Sequence, residues 1–154
     1  MVIDVNEIKY LILDNANEDV LSIRKEVFII EQQVPKDIEY EINENERIHC
    51  CLYLGNELIA YGRIVLPYEH ARKALNIKCV RVGRVCVRKK YRYQGYGRKI
   101  MNFIESNLKR WGISKIEVHA QLQAKEFYLS LGYLINWDIF SEAGIEHIEM
   151  YKIL

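Results

Sequence analysis

Proline and glycine are scarce: two prolines, Pro35 and Pro67, and eight glycines punctuate 154 residues. No internal repeat, low-complexity tract or flexible linker interrupts them, so we expect one continuous domain over 1–154. A chain of that size buries its own core without disulfide or metal staples. The four cysteines, Cys50, Cys51, Cys79 and Cys86, form no C-x-x-C pair and have no histidine at zinc spacing. That disfavours both a disulfide framework and a structural zinc site, and we expect reduced thiols and no metal. No apolar run approaches ~18 residues, and Met1 to Tyr10 alternates apolar with charged residues, which excludes a spanning helix and a signal-peptide core by pattern. A cytoplasmic protein without a membrane partner is the expectation. Net charge is small too: 22 basic against 21 acidic residues leave +1. The sum excludes a generic polycation that coats nucleic acid or a membrane surface.

What is present is a globular mixture, 50% hydrophobic and 28% charged, too apolar to stay disordered. Ile8–Leu13 reads as a strand. Asn17 suits a helix cap, and Val20, Ile23, Val27 and Ile30 follow at helical spacing up to Pro35. An acidic loop, Pro35 to Glu46, carries Asp37, Glu39, Glu41, Glu44 and Glu46. Ile48–Leu54 and Leu58–Leu66 form a predicted hairpin about Gly55-Asn56. Pro67 to Ala74 reads as a loop or short helix, and Val80–Val87 as a strand. From Gly95 to Trp111 an amphipathic helix presents Ile100, Phe103, Ile104, Leu108 and Trp111, with Gly112 as its stop. A strand at Lys115–Ala120, a short helix at Leu122–Leu131 and strands at Tyr133–Phe140 and Ile145–Ile153 complete an α/β or α+β domain with a partly antiparallel central sheet.

The stretch Val82 to Gly97, VGRVCVRKKYRYQGYG, holds the chemistry. A strand runs into a basic, glycine-containing turn that opens a long helix, whose first N–H groups lack main-chain partners and whose dipole is positive. Gly95 and Gly97 allow close approach to the backbone, and Arg88, Lys89, Lys90, Arg92, Arg98 and Lys99 add charge. The physical reading is a pyrophosphate cradle. Walker and Rossmann spacings are both absent. A solvated basic turn is the alternative, as is a nucleic-acid surface with Tyr91, Tyr93 and Tyr96 as stacking platforms.

Arg92-x-x-Gly95-x-Gly97 resembles the R/Q-x-x-G-x-G/A signature of the GCN5-related N-acetyltransferases, the GNAT family. Ala120 to Tyr133, AQLQAKEFYLSLGY, resembles the family's later strand-then-helix block. Glu26–Pro35 and Phe140–Met150 are similar to the ElaA-like branch. The resemblance implies a mixed, mostly antiparallel sheet with helices on both faces, and a splayed parallel pair of strands, Val80–Val87 and Lys115–Ala120, that holds acetyl-CoA. It further implies that main-chain groups of Val85, Cys86 and Val87 meet the pantetheine arm. The loop Arg92, Tyr93, Gln94, Gly95, Tyr96, Gly97 and Arg98 would then hold the pyrophosphate. The implied activity is direct acetyl transfer to an amine, with Tyr128 as general acid to the departing thiolate. Homodimers are common in the family. A non-catalytic acyl-CoA-binding module of the same fold is the alternative function.

An ammonium acceptor must lose a proton before it attacks. Glu31 and His147, inside the two branch-specific blocks, are the expected bases; Glu39, Glu41 and His49 are alternatives. Cys86 offers a covalent route through an acetyl-thiol, against the ordinary reading of a buried strand cysteine. Tyr128 shares helical spacing with Ala124, Phe127 and Leu131, so a packed core role competes with catalysis there. The acceptor is left open: the acids of Asp37–Glu46 suit a cationic small-molecule amine, and Arg63, Arg81 and Arg84 an anionic one. Arg81 to Lys99 contains eight basic residues and no acid, whereas Glu31 to Glu46 contains six acids and one lysine. That pattern suggests two separated fields.

Overall fold

The computed structural model describes residues 4–40, 47–66 and 78–154. Strand β1 (Ile8–Leu13) precedes helix α1 (Glu18–Arg24). Asn17 caps that helix, its side-chain oxygen accepting the Val20 N–H at 2.9 Å. The helix then widens into a π-helical segment, Lys25–Glu31, before α2 (Lys36–Glu39). Strands β2 (Arg47–Leu54) and β3 (Glu57–Val65) make the expected hairpin, with Gly55 at φ 59° in its turn. Next come β4 (Cys79–Val87), the long α3 (Tyr96–Arg110), β5 (Lys115–Gln121) and α4 (Lys125–Ser130). Short strands β6 (Leu134–Ile135) and β7 (Phe140–Glu142) precede β8 (Ile145–Ile153).

The sheet runs β1-β2-β3-β4-β5-β8-β6, with β7 also on β8, and its described pairs are antiparallel except β4/β5. Strand alternation sorts the core onto two faces. Cys50 and Leu52 belong to the cluster that holds Ile100, Met101, Ile104 and Leu108 of α3, while Cys51 and Tyr53 join Val20, Ile23 and Val27 of the first helix. The four α3 side chains are fully buried. Each is worth about 1.5–3 kcal/mol of transfer free energy, enough to fix how the helix sits on the sheet.

Three readings are corrected. Ile30 is 65% exposed, because the wider π turn rotates the later residues and brings Phe28 inward instead. Trp111 is 46% exposed at the C-cap, beyond the last helical turn. The single strand expected at Tyr133–Phe140 is two short pieces: after β6 the chain keeps one main-chain bond, Asn136 N–H to the Glu149 carbonyl, and leaves Trp137 and Ile139 exposed. The Pro67–Ala74 reading and the acids Glu41, Glu44 and Glu46 lie outside the described residues.

Candidate active site

β4 and β5 run side by side only from Cys79–Val82 against Lys115–Val118. Beyond Val82 they part. On its other edge β4 is bulged against β3: Gly83 and Cys86 oppose Arg63 and Tyr61, and Arg84 takes φ 53°. The β5-facing backbone of the second half of β4 is therefore left without a ladder partner from β5, and β5 instead follows β8 as far as Gln121 opposite His147. Unpaired strand backbone seeks a partner of its own.

A cavity of about 680 Å³ occupies this opening. Its walls include Val85, Cys86, Val87, Arg92, Tyr93, Gly95, Tyr96, Gly97, Arg98, Glu31 and Tyr128. Gln94 is off the wall, its side-chain amide donating to the Lys90 carbonyl at 3.2 Å. At the cavity floor α3 begins without a side-chain cap, at Gly95 with φ 86°. Its first N–H groups are thus available to an anion. A methyl at Gly97 would lie 3.2 Å from the Phe127 ring, so the glycine keeps helix and ring in close contact.

The basic turn is not a free cationic field. Arg92 donates through both terminal nitrogens to Glu31 at 2.6 Å and through Nε to the Val87 carbonyl at 3.0 Å. Arg88 bonds the Leu58 carbonyl at 2.6 Å and Glu26 at 3.1 Å, and Lys90 lies 3.4 Å from Glu57. These pairs staple the loop to the first helix and to β3. Of the acidic stretch expected from the sequence, Glu31 is thus drawn into the basic one. Tyr91 donates to Glu57 and packs edge-on against Tyr96, so of the three tyrosines only Tyr93 stands fully exposed. A stacking platform for bases is not assembled.

Several expected roles meet specific surroundings. The hydrogen bonds from Arg92 hold the Glu31 carboxyl below the usual carboxylate range. Glu39 is buried, with Arg24 Nε 2.7 Å from one oxygen and Arg84 Nε 2.9 Å from the other. Such a carboxylate is an ion-pair member and not an available base. His49, named as an alternative base, is buried against the Tyr61 hydroxyl at 2.6 Å and lines neither this cavity nor the smaller one beside Tyr128. Burial pushes the Cys86 thiol well above its ordinary value, with Glu39 adding to the effect. A thiolate nucleophile is disfavoured there.

Tyr128 is buried between the rings of Phe127 and Tyr133, at centroid distances of 5.1 and 5.4 Å. Burial pushes its phenol upward, so it stays protonated. The smaller cavity, of about 300 Å³, adjoins the first and shares Gln32, Val85, Gln121, Ala124 and Tyr128 with it. Its other walls carry Arg47, Arg63, Arg81, Arg84, Glu39, His119, Glu142 and His147. Sequence reasoning missed Gln32 and Gln121, joined at 2.6 Å across the opening, and also His119 and Glu142. The β5/β8 and β7/β8 registers bring His119 and Glu142 to the corner that holds His147, and no local spacing announces them.

Splayed parallel strands, an uncapped glycine-led helix start and a second cavity beside the first define a two-compartment site with an anion-receptive end. The acetyltransferase (GNAT) domain model matches residues 12–154, and the chain belongs to that family of N-acetyltransferases. The uncharacterized N-acetyltransferase YjcF of Bacillus subtilis is 33% identical over 136 residues, 88% of this chain and 91% of that one. Protein ElaA of Escherichia coli is 29% identical over 134 residues, 86% of this chain and 84% of ElaA. The ElaA crystal structure matches with a TM-score of 0.76 over 95% of this chain and 99% of that one, at 24% identity. A Bacillus subtilis acetyltransferase solved in complex with CoA shares the fold at a TM-score of 0.67 and 13% identity, over 96% of this chain and 99% of that one. Among the described residues no helix is long and apolar enough to cross a membrane.

Proposed function

We propose that the protein transfers an acetyl group from acetyl-CoA directly to a primary amine of a small molecule. The observation that carries this reading is the continuity of the two cavities across Tyr128. A thioester lying along β4, with its pyrophosphate on the α3 start, would reach the wall that the second cavity shares. The solved relative in complex with CoA supports that occupant.

Each residue's part follows from its surroundings. Tyr93 to Arg98 offer backbone N–H groups at the positive end of a fifteen-residue helix. Glu31 holds Arg92, and so the loop, in place; with its carboxyl held below the usual range by Arg92 it is a poor proton acceptor. The unladdered edge of β4, from Gly83 to Val87, takes an extended pantetheine arm as a further strand would be taken. Tyr128 supplies the proton to the leaving sulfur. Its raised phenol pKa suits a site where desolvation raises the basicity of a thiolate as well. Holding both reactants in adjoining cavities also supplies effective molarities that reach ~10⁵ M or more when aligned.

The test is CoA release from acetyl-CoA in the presence of a panel of primary amines, with mass detection of the acetylated product. Amine-dependent release is the expected result. CoA binding without release across the panel would contradict the reading in favour of a binding module.

A further inference from the structure

We propose that Glu142 and His147, supported by His119, dock the acceptor's ammonium group and remove its proton; this rests on the amine-acceptor reading above. Strand β8 places His147 opposite Gln121 on β5 and opposite Phe140 on β7. Glu142 closes the same corner from β7. Its Oε1 lies 3.4 Å from His119 Nδ1 and its Oε2 lies 3.6 Å from His147 Nε2. Phe140 fixes both imidazoles, stacked on His147 at 5.8 Å and edge-on to His119 at 5.0 Å. All three polar residues line the second cavity, whose wall also includes Tyr128.

The hydrogen bonding assigns the reacting nitrogen. His147 Nδ1 is 2.7 Å from the Ile145 carbonyl, which only accepts, so Nδ1 carries a proton. Nε2 is then the nitrogen that gains and loses one. Its 3.6 Å separation from Glu142 is too long for a direct hydrogen bond, but an ammonium has three donors and can bond both ends of that gap at once. Glu142 is about half exposed, so the corner opens toward an incoming ligand. The hydrogen bond from His119, with the Arg84 charge adding to it, holds its carboxyl below the usual range and keeps it anionic.

The step balances as follows. R–NH3⁺, held against the Glu142 carboxylate, gives one proton to His147 Nε2. The amine lone pair forms the N–C bond as the C–S bond breaks. The sulfur takes the Tyr128 proton, and the phenolate is reprotonated by the remaining excess proton on nitrogen. His147 returns its proton to solvent, so the products are the amide, CoA–SH and one H⁺.

The test uses the whole chain labelled with ¹⁵N-histidine and titrated with propylammonium chloride against a sodium chloride control. We expect the neutral His147 ring to carry its proton on Nδ1, and the amine to shift the His147 and His119 ring signals. Glu142→Gln should abolish the amine response. A neutral ring protonated on Nε2, or an amine response unchanged by Glu142→Gln, or no response in the wild type, overturns the proposal. Should Glu142→Gln fail to fold, the wild-type tautomer and titration decide alone. With an acetylated amine in hand, Glu142→Gln should raise KM for the amine about tenfold with kcat little altered. His147→Gln should instead lower kcat about 10²-fold at similar KM. A purely structural corner would move both parameters together and overturn the assignment. If the wild type acetylates no amine, the proposed reaction fails, while the ring titration still decides the docking site.

Discussion

Tyr128 and Glu31 line one cavity and receive opposite treatment from the fold. Burial raises the phenol, while Arg92 lowers the carboxyl. Tyr128→Phe removes only a hydroxyl from a packed site, so the fold should survive and kcat should fall by about 10²–10⁴-fold in a CoA-release assay. An unchanged rate would return Tyr128 to the core. For Glu31 the consequence is in stability. A carboxyl whose folded pKa is depressed contributes stability above its unfolded pKa and loses it as pH falls through the folded one. Urea unfolding should therefore show a constant gap between wild type and Glu31→Gln near neutrality, of at most about 1 kcal/mol for an exposed pair. That gap should close as pH drops below the usual carboxylate range. The helical position of Tyr128 was legible in the sequence. The engagement of Glu31 was not, because its partner lies 61 positions away.

Most elements were legible because period and punctuation agree. Asn17 capped its helix, the Gly55-Asn56 turn closed its hairpin, and Gly95 and Gly112 bounded α3. The π-helical widening at Lys25–Glu31 escaped notice, since Val27 and Ile30 fit a regular helical stripe that one wider turn displaces. The bulge at Arg84 escaped as well: its cause is tertiary, at the point where β4 leaves β5. Gly62 lies beside that bulge, between Arg63 and Tyr61, and a methyl there would meet Ile104 Cδ1 at 2.6 Å and Val85 at 3.5 Å. Gly62→Ala should accordingly cost about 1–3 kcal/mol of stability by overpacking, measured by chemical unfolding. The α2 element depends on a buried pair. Glu39→Gln would leave Arg24, which is fully buried, short of its carboxylate and should cost about 3–5 kcal/mol in the same measurement.

At the scale of the whole molecule, the near-zero net charge conceals local pairing. Arg88, Lys90 and Arg92 meet Glu26, Glu57 and Glu31, so much of the basic run serves to hold the turn in shape. What remains for a ligand is chiefly backbone: uncapped N–H groups at α3 and the unpaired edge of β4. The family signature exposed that half of the site in the sequence. Of the proposed acceptor half, His147 was named from its sequence block, but His119 and Glu142 were hidden, because they lie on other strands whose registers only the folded sheet reveals. The central claim, direct transfer between two adjoining cavities, is tested most directly by initial rates of CoA release with acetyl-CoA and a reactive amine varied together. Transfer within a ternary complex predicts intersecting double-reciprocal lines. Parallel lines, together with an acetylated Cys86 trapped from acetyl-CoA alone, would contradict it.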